Sequence, residues 1–208
     1  MGNKDILLQQ ILQNGIKQLN LKLSVPIRQK LIDYVLLLYK WNKTYNLTSI
    51  RNPEEIMTRH ILDSLAIVPY IHGKRILDVG TGAGLPGIPL ALALPKKQFV
   101  LLDSNNKKVR FLTQAKLLLK INNVAIVQER VEKYFPEQKF DSIITRAFSS
   151  LRNILKKIKQ LYNPGAYLLA MKGKYPEQEL QEINKSVIVH KIEVPGLDAE
   201  RNLVCLKL

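Results

Sequence analysis

The chain has 208 residues, enough to bury a substantial core as one domain or as one domain with an extension. No apolar stretch is long enough to span a bilayer, and the start Met1-Gly2-Asn3-Lys4-Asp5 lacks the blocks of a signal peptide, so a cytoplasmic monomer is expected. The single Cys205 excludes an internal disulfide and a Cys-rich zinc site, and no metal is expected. A formal net charge of +15 is the balance of a protein whose partner is a polyanion, nucleic acid rather than an acidic membrane surface. Residues 1–72 carry nine Lys/Arg against five Asp/Glu, and residues 73–208 carry twenty-three against twelve, so the excess lies mostly in the second part.

Residues 4–19 and 25–41 read as helices, with Ile6, Leu7, Ile11, Leu12 and then Leu31, Val35, Leu36, Leu38 at helical spacing. Ser24 and Pro26 supply the second start signal, and a third helix is expected from Pro53 to about Tyr70. From Lys74 onward strands and helices alternate. Strands are predicted at 75–79, 98–103, 123–128, 141–145, 166–171, 187–194 and 202–207, and helices at 86–94, 105–120, 149–162 and 177–184. This order predicts a helical cap over residues 1–72 and, over 73–208, a mostly parallel seven-stranded sheet with helices on both faces. The last two strands flank a tight turn at Pro195-Gly196 and are expected to pair antiparallel at the edge.

The most informative stretch is Arg75-Ile76-Leu77-Asp78-Val79-Gly80-Thr81-Gly82-Ala83-Gly84-Leu85-Pro86-Gly87. An apolar run ends in an acid, a glycine loop follows, and Pro86 suits a first helical turn. This is a nucleotide-type cofactor loop at the carboxyl end of a strand. Two readings compete. Gly82 to Gly87 matches G-x-G-x-x-G, the dinucleotide fingerprint, whereas Asp78 to Gly84 reads D-h-G-x-G-x-G, the pattern of S-adenosylmethionine-dependent methyltransferases with a Rossmann-like fold. The Asp78 carboxylate would repel a pyrophosphate and attract an ammonium or sulfonium. Asp103, closing the next strand about twenty residues on, suits ribose hydroxyls of either cofactor; Asp103, Ser104 and Asn105 also all suit a helix cap.

The target is narrowed by absences. The fourth strand ends in Thr145-Arg146-Ala147-Phe148, without the Asn/Asp-Pro-Pro-Tyr motif that holds exocyclic amines, and Cys205 reads as an inert core thiol rather than a 5-methylcytosine nucleophile. Guanine N7, whose lone pair is free, fits; a ribose hydroxyl or a small molecule stays open. Arg59 and Asp63 at i,i+4 spacing read equally as a helix-surface pair or an RNA contact. His60 reads as a packing residue. Trp41 and Tyr45 read as an apolar anchor or a base-stacking pair.

Several segments in order resemble one family. They are Trp41 to Thr48, Arg59-His60-Ile61-Leu62-Asp63-Ser64, the Asp78 to Pro89 loop, Leu102-Asp103-Ser104, Lys108-Val109-Arg110-Phe111-Leu112, Arg130-Val131-Glu132, Arg146-Ala147-Phe148, Lys172-Gly173 and Glu200-Arg201. The family is ribosomal RNA small-subunit methyltransferase G, also called glucose-inhibited division protein B. The resemblance implies a Rossmann-like class I methyltransferase fold and an enzyme that makes 7-methylguanosine in 16S ribosomal RNA of the small subunit from S-adenosyl-L-methionine. It also implies that the cofactor meets Gly80, Leu85, Asp103, Val131, Glu132 and Arg146, to which the loop reading adds Asp78, Gly82, Gly84 and Ser104. Arg59, Lys107, Lys108, Arg110, Lys172 and Arg201 are the expected RNA-binding residues, and no catalytic base is expected.

Overall fold

A computed structural model describes residues 3–146 and 149–208; Met1, Gly2, Ala147 and Phe148, quoted above, lie outside the described residues. Helices α1 (Asn3–Gln18) and α2 (Val25–Tyr45) come first. The second runs past the predicted Trp41 because nothing breaks it before Asn46, whose left-handed backbone (φ +50°) caps it. Trp41 thus lies inside the helix, packed on Tyr45 one turn on (5.0 Å between centroids) and edge-on against Phe111 (5.6 Å), so the anchor reading describes its contacts.

The predicted 53–70 helix is broken into pieces. The Asn52 side chain accepts from the Glu54 and Glu55 amides and starts α3 (Pro53–Ile56). A π-helical stretch, Met57–Leu62, follows and leads into α4 (Asp63–Leu65). Pro69, which has no N–H to donate, stands in a separate 3₁₀ turn, Val68–Tyr70.

The strands are β1 (Arg75–Val79), β2 (Gln98–Leu102), β3 (Val124–Val127), β4 (Phe140–Arg146), β5 (Tyr162–Lys172), β6 (Val187–Lys191) and β7 (Asn202–Lys207). They form one sheet in the order β3-β2-β1-β4-β5-β7-β6. Neighbours are parallel from β3 to β5, whereas β7 runs antiparallel to both β5 and β6. Helices α5 (Gly87–Ala93), α6 (Asn106–Leu118), α7 (Leu151–Lys157) and α8 (Glu177–Gln181) complete the alternation. Strand residues alternate between two apolar layers. Ile76, Phe99 and Leu101 join a core shared with α1, α2, α5 and α6, while Leu77, Val79, Val100 and Leu102 face α7 through Ile154 and Ile158.

Several boundaries depart from expectation, among them the end of α8 at Gln181 rather than 184. Pro86 stands one position before α5 (φ −90°), and Pro89 occupies the first turn instead, where its missing donor leaves no gap. The 149–162 helix stops at Lys157 and a short 3₁₀ turn, because Asn163-Pro164-Gly165 takes extended backbone and bulges into β5, with Gly165 at φ +93°. Strand β6 stops at Lys191 rather than 194, where the chain turns away through Gly196 at φ +74°. No described helix is long and apolar enough to cross a membrane.

Candidate active site

All the loops that matter leave the carboxyl ends of the parallel strands, on either side of the β1/β4 boundary where the winding direction reverses. After β1, Gly80, Gly82 and Gly84 all have positive φ (+66°, +63° and +89°), a backbone that a side chain would strain. The Gly80 and Thr81 amides donate to the Leu102 carbonyl (2.9 and 3.1 Å), which pins the loop to the end of β2. From the cap, the buried Tyr34 hydroxyl donates to the Ala83 carbonyl. Burial pushes the Tyr34 hydroxyl pKa upward, so it stays a donor.

Asp78 lies beneath the loop with no exposed surface. Its Oδ2 accepts from the Thr81 hydroxyl (2.6 Å) and the Gly87 amide (2.8 Å). Its Oδ1 is buried and has no hydrogen-bond partner among the described residues. Burial, only partly offset by those two bonds and by the Arg146 charge, pushes its carboxyl up to about 6. A buried acceptor of this kind calls for a cation and disfavours a phosphate.

A cleft of about 490 Å³ opens beside the loop, lined among others by Gly80, Asp103, Ser104, Lys108, Val131 and Glu132. Asn105, not Asp103, caps α6 with its side chain (3.0 Å to the Lys107 amide), which leaves the Asp103 carboxylate to the cleft. Asp103 accepts from the Gly82 amide (2.9 Å) and the Asn105 amide (2.9 Å), one bond per oxygen, and Lys108 Nζ stands 3.7 Å away. Each oxygen keeps a lone pair for a hydroxyl donor. Opposite, Glu132 pairs with Lys157 (2.6 Å), which lowers its pKa, and the Val131 carbonyl accepts from Gln160 (2.8 Å). The cleft is therefore close to charge-balanced: Asp103, Glu129 and Glu132 against Lys108, Arg130 and Lys157.

A second cavity, of about 530 Å³, lies at the ends of β4 and β5 under the cap. Its walls carry Arg59, Arg146, Lys172 and Arg201 with His60 and Asp63. Asp63, with 4% of its side chain exposed, takes Arg146 Nη1 on one oxygen (3.2 Å) and Arg201 Nε on the other (2.9 Å). Arg201 Nη1 also donates to the Glu200 carbonyl (2.8 Å). Lys172 is held by Glu179 (2.8 and 2.9 Å). His60 meets Thr48 Oγ1 through Nε2 (2.8 Å), while Arg146 Nη2 lies 3.4 Å from Nδ1. Burial, then the Arg146 charge, pushes the imidazole down to about 3, so the ring is neutral.

The family follows from this fold together with the chain's relatives. A sequence model described as rRNA small subunit methyltransferase G matches residues 27–204. A protein of Coxiella burnetii named ribosomal RNA small subunit methyltransferase G is 51% identical over 196 residues, spanning 94% of this chain and 96% of that relative. The chain belongs to the ribosomal RNA small-subunit methyltransferase G family. A relative of the same name from Alteromonas mediterranea is 50% identical over 203 residues, 96% of each chain. Among solved structures, a SAM-dependent methyltransferase from Aquifex aeolicus matches at a TM-score of 0.58 with 20% identity, covering 81% of this chain and 97% of that one. TYW2 of M. jannaschii in complex with AdoMet matches at 0.55 with 17% identity, over 71% and 74%. At such identities the likeness establishes the fold, which is the Rossmann-like class I methyltransferase fold.

Within the family the expected residues fall into four groups. Gly80, Asp103, Ser104, Val131 and Glu132 line the first cleft together with Lys108. Asp78, Gly82, Gly84 and Leu85 shape the loop without lining that cleft, and Arg146 lines the second cavity with Arg59, Lys172 and Arg201. Lys107 and Arg110 are exposed on α6 and line neither. Asp63 is not paired with Arg59 as helical spacing had suggested; Arg146 and Arg201 take both its oxygens. Tyr34 and Glu179 escaped the sequence reading. Only Asp63 left a trace there, as an acid amid the apolar Ile61, Leu62 and Leu65 of a buried helix.

Proposed function

We propose that this protein transfers the methyl group of S-adenosyl-L-methionine to N7 of a guanine in 16S ribosomal RNA, as a helical cap (1–72) joined to a cofactor-binding unit (73–208). The observation that carries the reading is the adjacency of two unlike sites. A charge-balanced cleft holds Asp103 and borders the glycine loop that covers the buried Asp78, and a cavity with four basic side chains lies at the ends of the neighbouring β4 and β5.

The first cleft fits the cofactor's parts. Asp103 accepts the ribose hydroxyls on its remaining lone pairs, and Val131 with Glu132 borders the adenine. The Asp78 carboxylate, buried beneath the glycine loop, favours the ammonium by its charge. When bound, the cofactor supplies a sulfonium methyl, and its transfer leaves a neutral thioether and puts the positive charge on the guanine. The basic residues of the second cavity hold the RNA by its phosphates and acceptor oxygens.

Attack by N7 releases no proton, so no general base is needed and proximity with in-line alignment supplies the rate. The residues near the reacting centre agree with that requirement. His60 is neutral at working pH with its ring nitrogens engaged by the Thr48 hydroxyl and the Arg59 carbonyl. Away from that centre, the Cys205 thiol lies half-buried on β7 between Leu169 and Ile188, lines neither cavity, and is pushed up to about 11 by burial, the opposite of an activated nucleophile. Incubation with labelled S-adenosylmethionine and undermethylated small subunits, followed by nucleoside mapping, is expected to place the label in 7-methylguanosine. Label on an exocyclic amine or a ribose would overturn the reading. Asp103→Ala is expected to weaken cofactor binding by roughly tenfold or more, read by calorimetry, through loss of charge-assisted hydrogen bonds.

A further inference from the structure

The Asp63 carboxylate joins two of the four basic side chains of the second cavity. It sits on α4, directly after the π-helical turn, and binds residues 83 and 138 positions away in sequence. Arg146 closes β4 and Arg201 immediately precedes β7, so one buried carboxylate ties three separate segments together. One negative charge against two guanidiniums leaves the trio with a net positive charge. A buried ion pair of this kind adds little stability, because desolvation cancels most of the Coulomb gain. Its effect is on geometry. Arg146 has Nη1 on Asp63 and Nη2 by His60, and Arg201 has Nε on Asp63 and Nη1 on the Glu200 carbonyl. Nη2 is then the Arg201 donor that makes no hydrogen bond to a described residue.

We propose that Asp63 is a positioning residue for methyl transfer: it holds the Arg146 and Arg201 guanidiniums in one fixed arrangement, so that the target nucleotide meets a preset cationic edge rather than two mobile side chains. The role rests on the functional reading above. His60 flanks the arrangement from the other side. Its Nδ1–H donates to the Arg59 carbonyl (3.1 Å), its Nε2 accepts from the Thr48 hydroxyl (2.8 Å), and Arg146 Nη2 packs 3.4 Å from the ring. The arrangement is preorganised before the RNA arrives, which spares the ordering cost at the moment of binding.

The test compares the wild-type chain with Asp63→Asn, which keeps the side-chain volume and removes the charge. Single-turnover rates at saturating undermethylated small subunits, RNA affinity and the thermal midpoint are measured on each. The rate is expected to fall roughly tenfold or more, as loosened positioning does, while RNA binds as tightly or more tightly because a negative charge is gone. In ¹⁵N spectra of the free protein, the Arg201 Nε–H is expected to lose its protection from solvent exchange. A rate within about twofold of wild type would overturn the role, and so would a loss that only tracks the fraction of folded protein or weaker RNA binding. Should Asp63→Asn fold poorly, Arg201→Lys keeps the charge and loses the fork. Its single-turnover rate is expected to fall roughly tenfold or more while RNA affinity stays within about twofold, and a rate within about twofold of wild type overturns the role. Wild-type protein that leaves guanine N7 unlabelled overturns the functional reading together with this role, whereas active wild type beside an equally active Asp63→Asn overturns the role alone.

Discussion

At the residue scale, Asp78 joins structure to pH. Burial raises its carboxyl from the ordinary 3.8 to about 6. The folded protein therefore keeps a proton through that window that the unfolded chain has already lost. For this raised carboxyl the sign is a stability that falls as pH rises between those values, by about 3 kcal/mol in all. A cation beside Oδ1 favours the ionised form, so cofactor binding below about 6 must expel the proton. S-adenosylmethionine affinity is expected to weaken as pH falls through that value, by up to about tenfold per unit, when titrated calorimetrically. In Asp78→Asn the slope is expected to vanish; an unchanged slope would assign the titration to another group. The acid before the glycines was legible in the chain as a charge. That it lies wholly buried with one oxygen unpartnered was not, because burial depends on α5 and the loop closing over it.

At the element scale, the approach of α5 to the sheet is set by one missing side chain. A Cβ at Gly87 would stand 2.2 Å from Leu101 Cδ2 and 2.7 Å from Asp78 Oδ2, both on fully buried residues of neighbouring strands. Gly87→Ala is expected to cost about 1–3 kcal/mol in chemical denaturation, because overpacking pushes the helix off the sheet. Cofactor affinity should fall with it, since the Gly87 amide is one of the two donors to Asp78; a variant as stable as wild type would show that α5 tilts without resistance. The alternation of helix and strand was readable from periodicity in almost every element. Among the misplaced ends are those at Pro86, Pro69 and Asn163-Pro164-Gly165, where local preference permits several backbones and neighbouring elements choose among them.

At the scale of the whole molecule, the cap and the sheet share one apolar layer running from Leu8 in α1 to Leu203 in β7. The Tyr34 contact to Ala83 extends that union into the glycine loop, so the cap that roofs the second cavity also steadies the cofactor side. The net charge of +15 bears on RNA association. Binding to 16S ribosomal RNA is expected to weaken roughly 10²-fold between about 50 and 200 mM salt, as Lys and Arg release counterions from phosphates. A flat salt response in a filter-binding or fluorescence titration would remove the polyanion argument.

The sequence by itself determined the layered α/β plan, the glycine loop, the acids closing β1 and β2 and the basic excess, because each is a local pattern of period, turn residue or charge. Only the tertiary structure decided which charges meet. Arg59, Arg146, Lys172 and Arg201 come from four separate segments and line one cavity, and Asp63 chooses Arg146 and Arg201 over the arginine one turn away. Pairing across 83 and 138 residues depends on strand order and on the depth at which the cap seats against the sheet. Neither is written in the spacing of residues along the chain.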